Sequence, residues 1–449
     1  MRLTPLFVFI MVIFGTIAAR AETTYHFPKD FKWCVATSAH QIEGQNTASD
    51  WWAFEAESGR IKNGERSGLA VDHWNRVIED TELIKNLQAT DYRLSIEWAK
   101  IEPKEGHVDP AAIAHYRSEI LTLLAHGIRP VVTLHHFTFP LWLANKGGWE
   151  WAGAPLAFDN YTRLVYNEIA PEATDWVTIN EPMISTLTGY FAGVFPPAQK
   201  RPLHEIVPVV RGLLKAHAAA YATLHRLAAQ RRATVRVGMA HAIRTIDPLQ
   251  RINPLDLLAA HWADDAWNWA LPEALESGRL RLSIPFTVEA DERIAGLAHT
   301  QDFFGINYYT GDDIHFSFHG PVVSPHPTST INDLGWPIYP KGLYRSLRSV
   351  SHRFPNLPIL ITENGIADSR DAARPEFIRS HLAAVALAIR DGSRVEGYCH
   401  WSLLDNFEWA EGFTPRFGLY AVDRETLART PRPSALAYRN IIVTNAVTY

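Results

Sequence analysis

The sequence predicts a single (β/α)8 barrel, also called a TIM barrel, with extended loops after its strands. Short apolar runs of strand length alternate along the chain with longer amphipathic stretches of helical periodicity. Strands that are separated by helices form parallel sheets. The chain has eight such runs, which is the number that closes this barrel, and one barrel with long loops can account for all 449 residues.

The predicted strands are short, bounded and apolar. In chain order they are FKWCVAT (31–37), YRLSIEW (92–98), PVVTLH (130–135), WVTIN (176–180), VRVGMA (235–240), FFGINY (303–308), PILIT (358–362) and VEGYCHW (395–401). Helical periodicity is clearest in the stretches 72–87, 111–125, 208–229 and 377–389. An open doubly wound sheet is the alternative arrangement. The first run is not followed by a glycine-rich dinucleotide fingerprint, which favours the barrel.

Composition excludes several classes of protein. Hydrophobic residues make up 47% of the chain and charged residues 20%, which is typical of a globular protein and not of a disordered one. The net charge of −5 is opposite to that of a dedicated nucleic-acid binder. Two cysteines cannot build a disulfide framework or a four-ligand zinc site. The 15 tryptophans suit the flat faces of sugars, but they fill protein cores equally well.

Residues 1–21 have the pattern of a secretory signal peptide. Arg2 precedes an apolar run from Leu6 to Ala19, and Ala19-Arg20-Ala21 has the small-x-small form of a cleavage site. The run is shorter than the roughly 20 residues that a membrane span needs. We therefore predict export to the periplasm or beyond, and a mature chain of one catalytic domain, 22–449, that does not span a membrane. An uncleaved anchor is the alternative.

Polar residues follow six of the eight runs, at the strand ends where active sites of such barrels lie. A single strand-end glutamate is commonly a helix cap or an ion-pair partner. Six strand ends with carboxylates, amides, imidazole and indole together predict a binding site. The residues are Gln41 and Glu43, His135 and His136, Asn180 and Glu181, Asn307 to Tyr309, Glu363 and Asn364, and Trp401 with Asp405, Asn406, Glu408 and Trp409.

Glu181 and Glu363 directly follow the fourth and seventh runs, on roughly opposite arcs of an eight-stranded barrel. Two facing carboxyl groups are what glycoside hydrolysis requires, one protonated and one ionised. Arg93 in the second run is a candidate for keeping one of them ionised, because a nearby cation lowers a carboxyl pKa. Tyr309 is a candidate for donating a hydrogen bond to the same group.

The chain resembles the glycoside hydrolase family 1 β-glucosidases from residue 27 to about residue 438. The residues that carry the resemblance are FKWCVATSAHQIEG (31–44), YRLSIEWAKIEP (92–103), TLHHFTFP (133–140), TINEP (178–182), DFFGINYYT (302–310), GWPIYPKGL (335–343), ITENG (361–365) and WSLLDNFEWAEGF (401–413). TINEP and ITENG in this order, with six further segments in register, are highly specific.

The resemblance implies a role for each site residue. Glu181 would be the general acid/base and Glu363 the nucleophile of a retaining mechanism. Arg93, Asn307 and Tyr309 would support these two carboxyls. The sugar would be bound by Gln41, His136, Asn180, Trp401, Glu408 and Trp409, with Trp336 on the aglycone side. No metal or organic cofactor is implied.

The implied function is exo-hydrolysis of terminal β-D-glycosyl residues from small-molecule β-glycosides or oligosaccharides. The Glu408 carboxylate would repel a sugar phosphate, and Glu181 stands where plant thioglucosidases have Gln. A transglycosylase and a non-catalytic sugar-binding barrel are the alternatives. Both catalytic glutamates are present, which disfavours the second. The choice among gluco, galacto, fuco and manno substrates stays open, as does the oligomeric state.

The chain departs from the family pattern at four positions. Phe137 and Thr138 replace the usual Trp and Asp after the sugar-binding His136, which puts support for that histidine in doubt. Cys34 replaces a usual Gly and Cys399 a usual aromatic residue, on the first and eighth strands. These strands are neighbours in a closed barrel. The two cysteines would therefore either pair in an oxidising compartment or pack as two buried thiols.

Overall fold

The computed structural model describes residues 22–317, 322–328 and 330–449. Its eight predicted runs form one closed barrel of parallel strands in which the first strand lies between the eighth and the second. The barrel prediction is therefore confirmed, and the open-sheet alternative is wrong. The predicted signal segment lies outside the described residues, so its assignment and the domain limits stay predictions.

The barrel strands lie close to the predicted runs. They are Lys32–Ala36, Asp91–Ser95, Arg129–His135, Asp175–Asn180, Arg236–Ala242, Phe304–Asn307, Ile359–Gly365 and Val395–Trp401. Nearly every residue in them is buried, because helices cover the outside of the barrel and side chains fill its inside. The fifth strand ends at Ala242, two residues beyond the predicted run.

The helices that follow or precede these strands pack around the barrel. The longer ones are Val77–Asn86, Pro110–Ala125, Ala154–Leu164, Val207–Gln230, Pro254–Asp264, Ala270–Ser277, Pro340–Arg353, Arg374–Arg390 and Pro433–Thr444. The predicted helix 72–87 begins only at Val77, because Asp72 has a left-handed backbone, with φ of 56°, and a single 3-10 turn, His73–Asn75, intervenes. No helix in the described ranges is long and apolar enough to cross a membrane.

The loops after the strands carry further short elements, as the extended-loop prediction requires. Short helices include Ala39–Ile42, Asp50–Phe54, Trp98–Ile101, Leu141–Ala144 and Pro182–Thr186. A three-stranded sheet joins Thr245–Pro248, Gly311–His315 and Val322–Pro325, and a hairpin joins Arg279–Ile284 to Val288–Arg293. Tyr420–Val422 pairs with Arg429–Pro431, and the terminal strands Thr24–His26 and Ala446–Thr448 pair with each other.

Cys34 and Cys399 form a disulfide bond between the first and eighth barrel strands. The two residues lie directly opposite each other in the register of these strands, and both are buried. Of the two alternatives that the sequence left open, the structure has the paired form. The bond connects positions 365 residues apart in sequence. A cross-link that closes so long a loop restricts the unfolded chain strongly, so the bond ties the barrel's first strand to its last.

Candidate active site

A cavity of about 560 Å³ opens at the carboxyl ends of the barrel strands. This volume is within the range of small-molecule sites. Most predicted site residues line it: His136, Asn180, Glu181, Asn307, Tyr309, Trp336, Glu363, Trp401, Glu408 and Trp409. Arg93 and Gln41 lie behind this layer and hydrogen-bond to members of it. The structure thus brings together the residues to which the resemblance assigns a role. Other strand-end residues lie outside the cavity lining: for example, Glu43 accepts from Tyr116, His135 packs against Phe139 and Trp149, and Asp405 accepts from Arg432.

Glu363 near the end of the seventh strand is held by two hydrogen-bond donors. Arg93 donates from Nη1 to one carboxylate oxygen, and the Tyr309 hydroxyl donates to the other at 2.7 Å. The Arg93 guanidinium is fully buried, so its charge interacts with that of Glu363 in a medium that screens poorly. These two donors fix the orientation of the Glu363 side chain.

Glu181 has a different environment. It follows the fourth strand with a left-handed backbone, φ 42°, at the start of the short helix Pro182–Thr186. Burial raises the pKa of Glu181 to about 8, and the negative charge of Glu363 adds to this rise. Asn307 donates a hydrogen bond to its Oε1 at 2.9 Å. Glu181 therefore retains its proton near neutral pH, whereas Glu363 has a buried cation beside it.

Two amides connect these carboxyls. The Asn180 side-chain oxygen accepts from Arg93 Nη2 at 2.6 Å and from Asn307 Nδ2 at 3.0 Å. The Asn307 side-chain oxygen in turn accepts from the Thr362 hydroxyl at 2.6 Å. Each hydrogen bond in this network fixes the orientation of the next group, so the two glutamates share one rigid support.

His136 is neutral in this site. Burial lowers the pKa of His136 well below its usual value, and the charge of Arg93 lowers it further. Asn180 Nδ2 donates to His136 Nε2 at 3.1 Å, which places the ring proton on Nδ1. Within the described part of the chain, the buried Nδ1 has no hydrogen-bond partner. His136 therefore offers a donor that the protein itself leaves unused.

Glu408 belongs to the loop after the eighth strand and is a third buried carboxyl in the cavity. Gln41 Nε2 donates to Glu408 at 3.2 Å and to the backbone oxygen of Phe407 at 2.9 Å. Burial raises the pKa of Glu408 to about 8, with the charge of Glu363 as a further cause. The rings of Trp401 and Trp409 lie nearly parallel to that of His136, at 25° and 19°.

The two departures after His136 have definite places in the structure. The Thr138 hydroxyl donates to the buried Glu97 at 2.8 Å, so Thr138 supports a neighbouring carboxyl rather than the histidine. Phe137 lines the cavity and packs against Trp409, with ring centroids 5.1 Å apart. The altered positions therefore reshape the wall beside the sugar site.

Much of the cavity's outer wall consists of residues that were not among the predicted site residues. One part is an aromatic cluster that includes Phe54, Phe137 and Phe195, and Ile184 and Val194 lie nearby. Leu334 and Phe417 join the predicted Trp336 in a second part. Arg60 and Arg244 also line the cavity. A signal for Arg244 was available, since it closely follows the fifth strand, which ends two residues beyond the predicted run.

Asp247, Asp313 and His326 are close enough together to hold a metal ion, outside the cavity lining. Both oxygens of Asp247 already accept hydrogen bonds from Arg345, at 2.6 Å each. His326 Nδ1 lies 2.6 Å from Asp313. These contacts occupy the ligand atoms and explain the cluster as an ion-pair network.

A closed parallel barrel with paired carboxyls of unlike environment at its mouth defines a glycoside hydrolase of the barrel type. The chain belongs to glycosyl hydrolase family 1, whose model matches residues 23–447. It is 32% identical to the β-glucosidase A of Thermotoga maritima, over 94% of this chain and 98% of that protein. It is 29% identical to the β-galactosidase of Pyrococcus woesei, over 94% of this chain and 98% of that one.

Solved structures show the same similarity. The β-glycosidase of Pyrococcus horikoshii superposes with a TM-score of 0.87 at 38% identity, covering 95% of this chain and 96% of that chain. The Thermotoga maritima β-glucosidase in complex with glucoimidazole has a TM-score of 0.87 at 30% identity, covering 94% and 99%. The family recognition and the glycoside hydrolase prediction are therefore confirmed.

Proposed function

We propose that the chain is a retaining, exo-acting β-glycosidase with Glu363 as nucleophile and Glu181 as general acid/base. The observation that carries the proposal is the contrast between the two carboxyls. Glu363 has a buried guanidinium and a phenol as hydrogen-bond donors, whereas burial and the neighbouring charge keep the proton on Glu181. A carboxyl that retains its proton, opposite a carboxyl held by a cation and a phenol, matches the division of roles into acid and nucleophile.

In the first step, a Glu363 oxygen attacks the anomeric carbon as the bond from that carbon to the aglycone oxygen breaks. Glu181 gives its proton to the departing oxygen, so the aglycone leaves as a neutral alcohol or phenol. The Arg93 charge and the Tyr309 hydroxyl orient the attacking carboxylate. The product is a glycosyl ester on Glu363, and Glu181 is now ionised.

In the second step, ionised Glu181 takes a proton from water as the water oxygen attacks the anomeric carbon. The ester bond to Glu363 breaks, the sugar leaves with its original configuration, and both carboxyls regain their starting states. A sugar hydroxyl in place of water would give transglycosylation on the same residues. The described outer lining of the cavity offers few polar side chains to an acceptor sugar, so hydrolysis is the primary proposal.

The proposed glycone is an unphosphorylated β-D-sugar, with glucose ranked first. Gln41, His136, Asn180 and Glu408 offer amide, imidazole and carboxyl groups to ring hydroxyls, and Trp401 and Trp409 offer apolar faces. The relatives named β-glucosidase support the ranking of glucose, while the relative named β-galactosidase keeps galactosides as an alternative.

Proton NMR of an aryl β-glucoside mixed with the enzyme is expected to show β-glucose as the first sugar product, before mutarotation. Retention follows from two successive inversions at the anomeric carbon. α-Glucose as the first product would contradict the role of Glu363 as nucleophile. If the enzyme hydrolyses none of the aryl β-glucoside, galactoside, fucoside and mannoside, the result would favour the alternative of a non-catalytic sugar-binding barrel. The control is the aryl α-glucoside with the same aglycone, which should not react.

Export of the protein is proposed from the pattern of residues 1–21 and receives support from the Cys34–Cys399 disulfide, since such bonds persist in oxidising compartments. The exported protein is expected to begin at Glu22 by N-terminal sequencing. In the same sample, unfolded without reductant, iodoacetamide should label neither cysteine, and after reduction it should label both. An intact N-terminus contradicts cleavage, and two labelled thiols before reduction contradict the bond.

A further inference from the structure

Beyond the proposed sugar-binding residues, the cavity wall is mostly apolar. Its larger apolar side chains are Phe54, Phe137, Ile184, Val194, Phe195, Ile243, Leu334 and Trp336. The polar side chains in this outer part are few: Arg60, Arg244, Thr310 and Glu411. All four have partners: Glu411 forms an ion pair with Lys62 at 2.8 Å, Thr310 donates to the backbone oxygen of Pro337 at 3.0 Å, and the two arginines pair with Glu57 and Asp312.

This outer wall matches an aromatic leaving group better than a second sugar. A sugar ring carries hydroxyls on its whole rim, and each one that is buried without a partner costs free energy. An aromatic ring needs only apolar and aromatic contacts, which Phe54, Phe195 and Trp336 provide. Any polar substituent on that ring must then meet one of the few polar groups of the wall.

Arg244 is the cation placed to meet such a substituent. It lies just beyond the fifth strand, and its backbone is fixed by Asn268, which accepts from the Arg244 amide at 3.0 Å and donates to the Arg244 carbonyl at 2.7 Å. Asp312 accepts from Nε and Nη2 of its guanidinium, the latter at 2.9 Å. A guanidinium has five N–H donors, and within the described residues only Nε and Nη2 of Arg244 are engaged, so Nη1 can donate to a ligand.

The charged side chains of the cavity determine which substituent on an aromatic leaving group would be favoured. Three carboxyls line the inner part, and the buried Arg93 is already engaged by Glu363 and Asn180. The fifth strand, which Arg244 follows, lies beside Glu181, because the Glu181 amide donates to the backbone oxygen of Ala240 at 2.8 Å. Arg244 therefore extends from the strand next to the proposed proton donor of the leaving group and lines the same cavity. Arg60 pairs with Glu57 and stacks at 5.0 Å on Phe54, which makes it a second cation of the wall.

We propose that the leaving-group side of this cavity selects aromatic aglycones that carry a carboxylate, and that Arg244 is the specificity-determining residue that pairs with it. The inference rests on the proposed β-glycosidase function and names its substrate class as the β-glycosides of phenolic acids. A carboxylate forms charge-assisted hydrogen bonds with a guanidinium, which are stronger than those of a neutral ester of the same shape.

The test compares kcat/KM for 4-carboxyphenyl β-glucoside with kcat/KM for its neutral methyl ester, in wild type and variants. For each enzyme, kcat/KM for the acid is divided by kcat/KM for the ester. Comparing this ratio between wild type and variants cancels the difference in leaving-group chemistry. In the double variant R244M/D312N, which removes the pair without leaving Asp312 uncompensated, the ratio should fall about tenfold. In R281M, an exposed arginine outside the cavity lining, it should stay at the wild-type value.

The aromatic wall is tested separately by F195A. This variant should raise KM severalfold for acid and ester alike and leave their ratio at the wild-type value, because Phe195 contacts the ring and not the charge. An unchanged KM for both substrates would overturn the aromatic part of the proposal. A wild-type ratio in R244M/D312N would overturn the role of Arg244.

A measurement on the wild-type enzyme covers the case in which the double variant does not fold. Raising NaCl to about 0.5 M shortens the screening length to a few ångströms, so KM for the acid should rise while KM for the ester stays constant. Equal salt responses would overturn the proposal. Loss of turnover on every β-glycoside, the ester included, would instead overturn the proposed function on which it rests.

Discussion

Replacing Glu363 by glycine is expected to lower kcat on aryl β-glucosides by about 10⁵-fold, because the variant has no group to form the glycosyl ester. The substitution also leaves a space beside Arg93 and Tyr309, the two donors that held the carboxylate. A small anion such as azide can enter this space. Its nitrogen then attacks the anomeric carbon from the face of the lost carboxylate as the aryl oxide leaves.

One inversion at the anomeric carbon converts the β-glucoside into an α-glucosyl azide. The anomer of the product therefore identifies the face from which azide attacks, in addition to the change in kcat. The control is E376Q, an exposed glutamate on the helix Arg374–Arg390 that pairs with Arg379. It should have wild-type kcat and give no azide product. A β-glucosyl azide from the Glu363 variant, or kcat above about one per cent of wild type, would contradict the nucleophile role.

The barrel could be predicted because its determinants are local. Buried parallel strands are short continuous apolar runs, and each of the eight is visible in the sequence without knowledge of the others. The inner site could be predicted for a related reason. Parallel strands in a closed barrel all end on one rim, so Glu181 and Glu363 both lie there, and their location does not depend on the paths of the loops.

The outer wall could not be predicted in the same way. Phe54, Phe195 and Leu334 come from loops after three different strands, and the paths of these loops depend on packing between distant segments. Neither a period of 3.6 residues nor one of two residues encodes such a path. The pairing of Cys34 with Cys399 was left open for a related reason. Adjacent strands were predictable, but the register that sets these residues opposite each other was not.

The pKa values of the site also depend on tertiary structure. A raised pKa for Glu181 was expected from the chemistry of the reaction, but its causes are burial and the nearness of Glu363, which only the folded barrel provides. The similar rise at Glu408 was not anticipated at all. Two groups with pKa values of about 8 in one cavity mean that a pH profile alone cannot assign the acid.

The role of Glu181 as the acid is therefore best tested by measuring kcat/KM against pH in wild type and in the variants E181Q and E408Q. In wild type, kcat/KM should fall as pH rises through about 8, because Glu181 is the acid only while it is protonated, and above its pKa the proton is lost. Gln cannot titrate, so the residual kcat/KM of E181Q should lack this limb on the same aryl glucoside on which wild type shows it. E408Q should retain the limb. A limb that persists in E181Q and disappears in E408Q would reverse the assignment.

The rate effects of removing Glu181 should depend on the leaving group. Loss of the acid is expected to cost about 10²- to 10⁴-fold in kcat/KM for alkyl or weakly acidic aryl glucosides, and much less for activated phenols. With activated phenols the second step becomes slow, because no base activates water, and KM falls as the glycosyl ester accumulates. Equal losses for all leaving groups would contradict the acid role.

Azide separates the two carboxyls most sharply. In E181A, Glu363 still forms the glycosyl ester, and azide attacks that ester from the face that Glu181 has vacated. Two inversions then give a β-glucosyl azide, the opposite anomer from the one expected of the Glu363 variant. Because the same reagent yields opposite anomers in the two variants only if the carboxyls stand on opposite faces of the sugar, the pair of products fixes both roles at once.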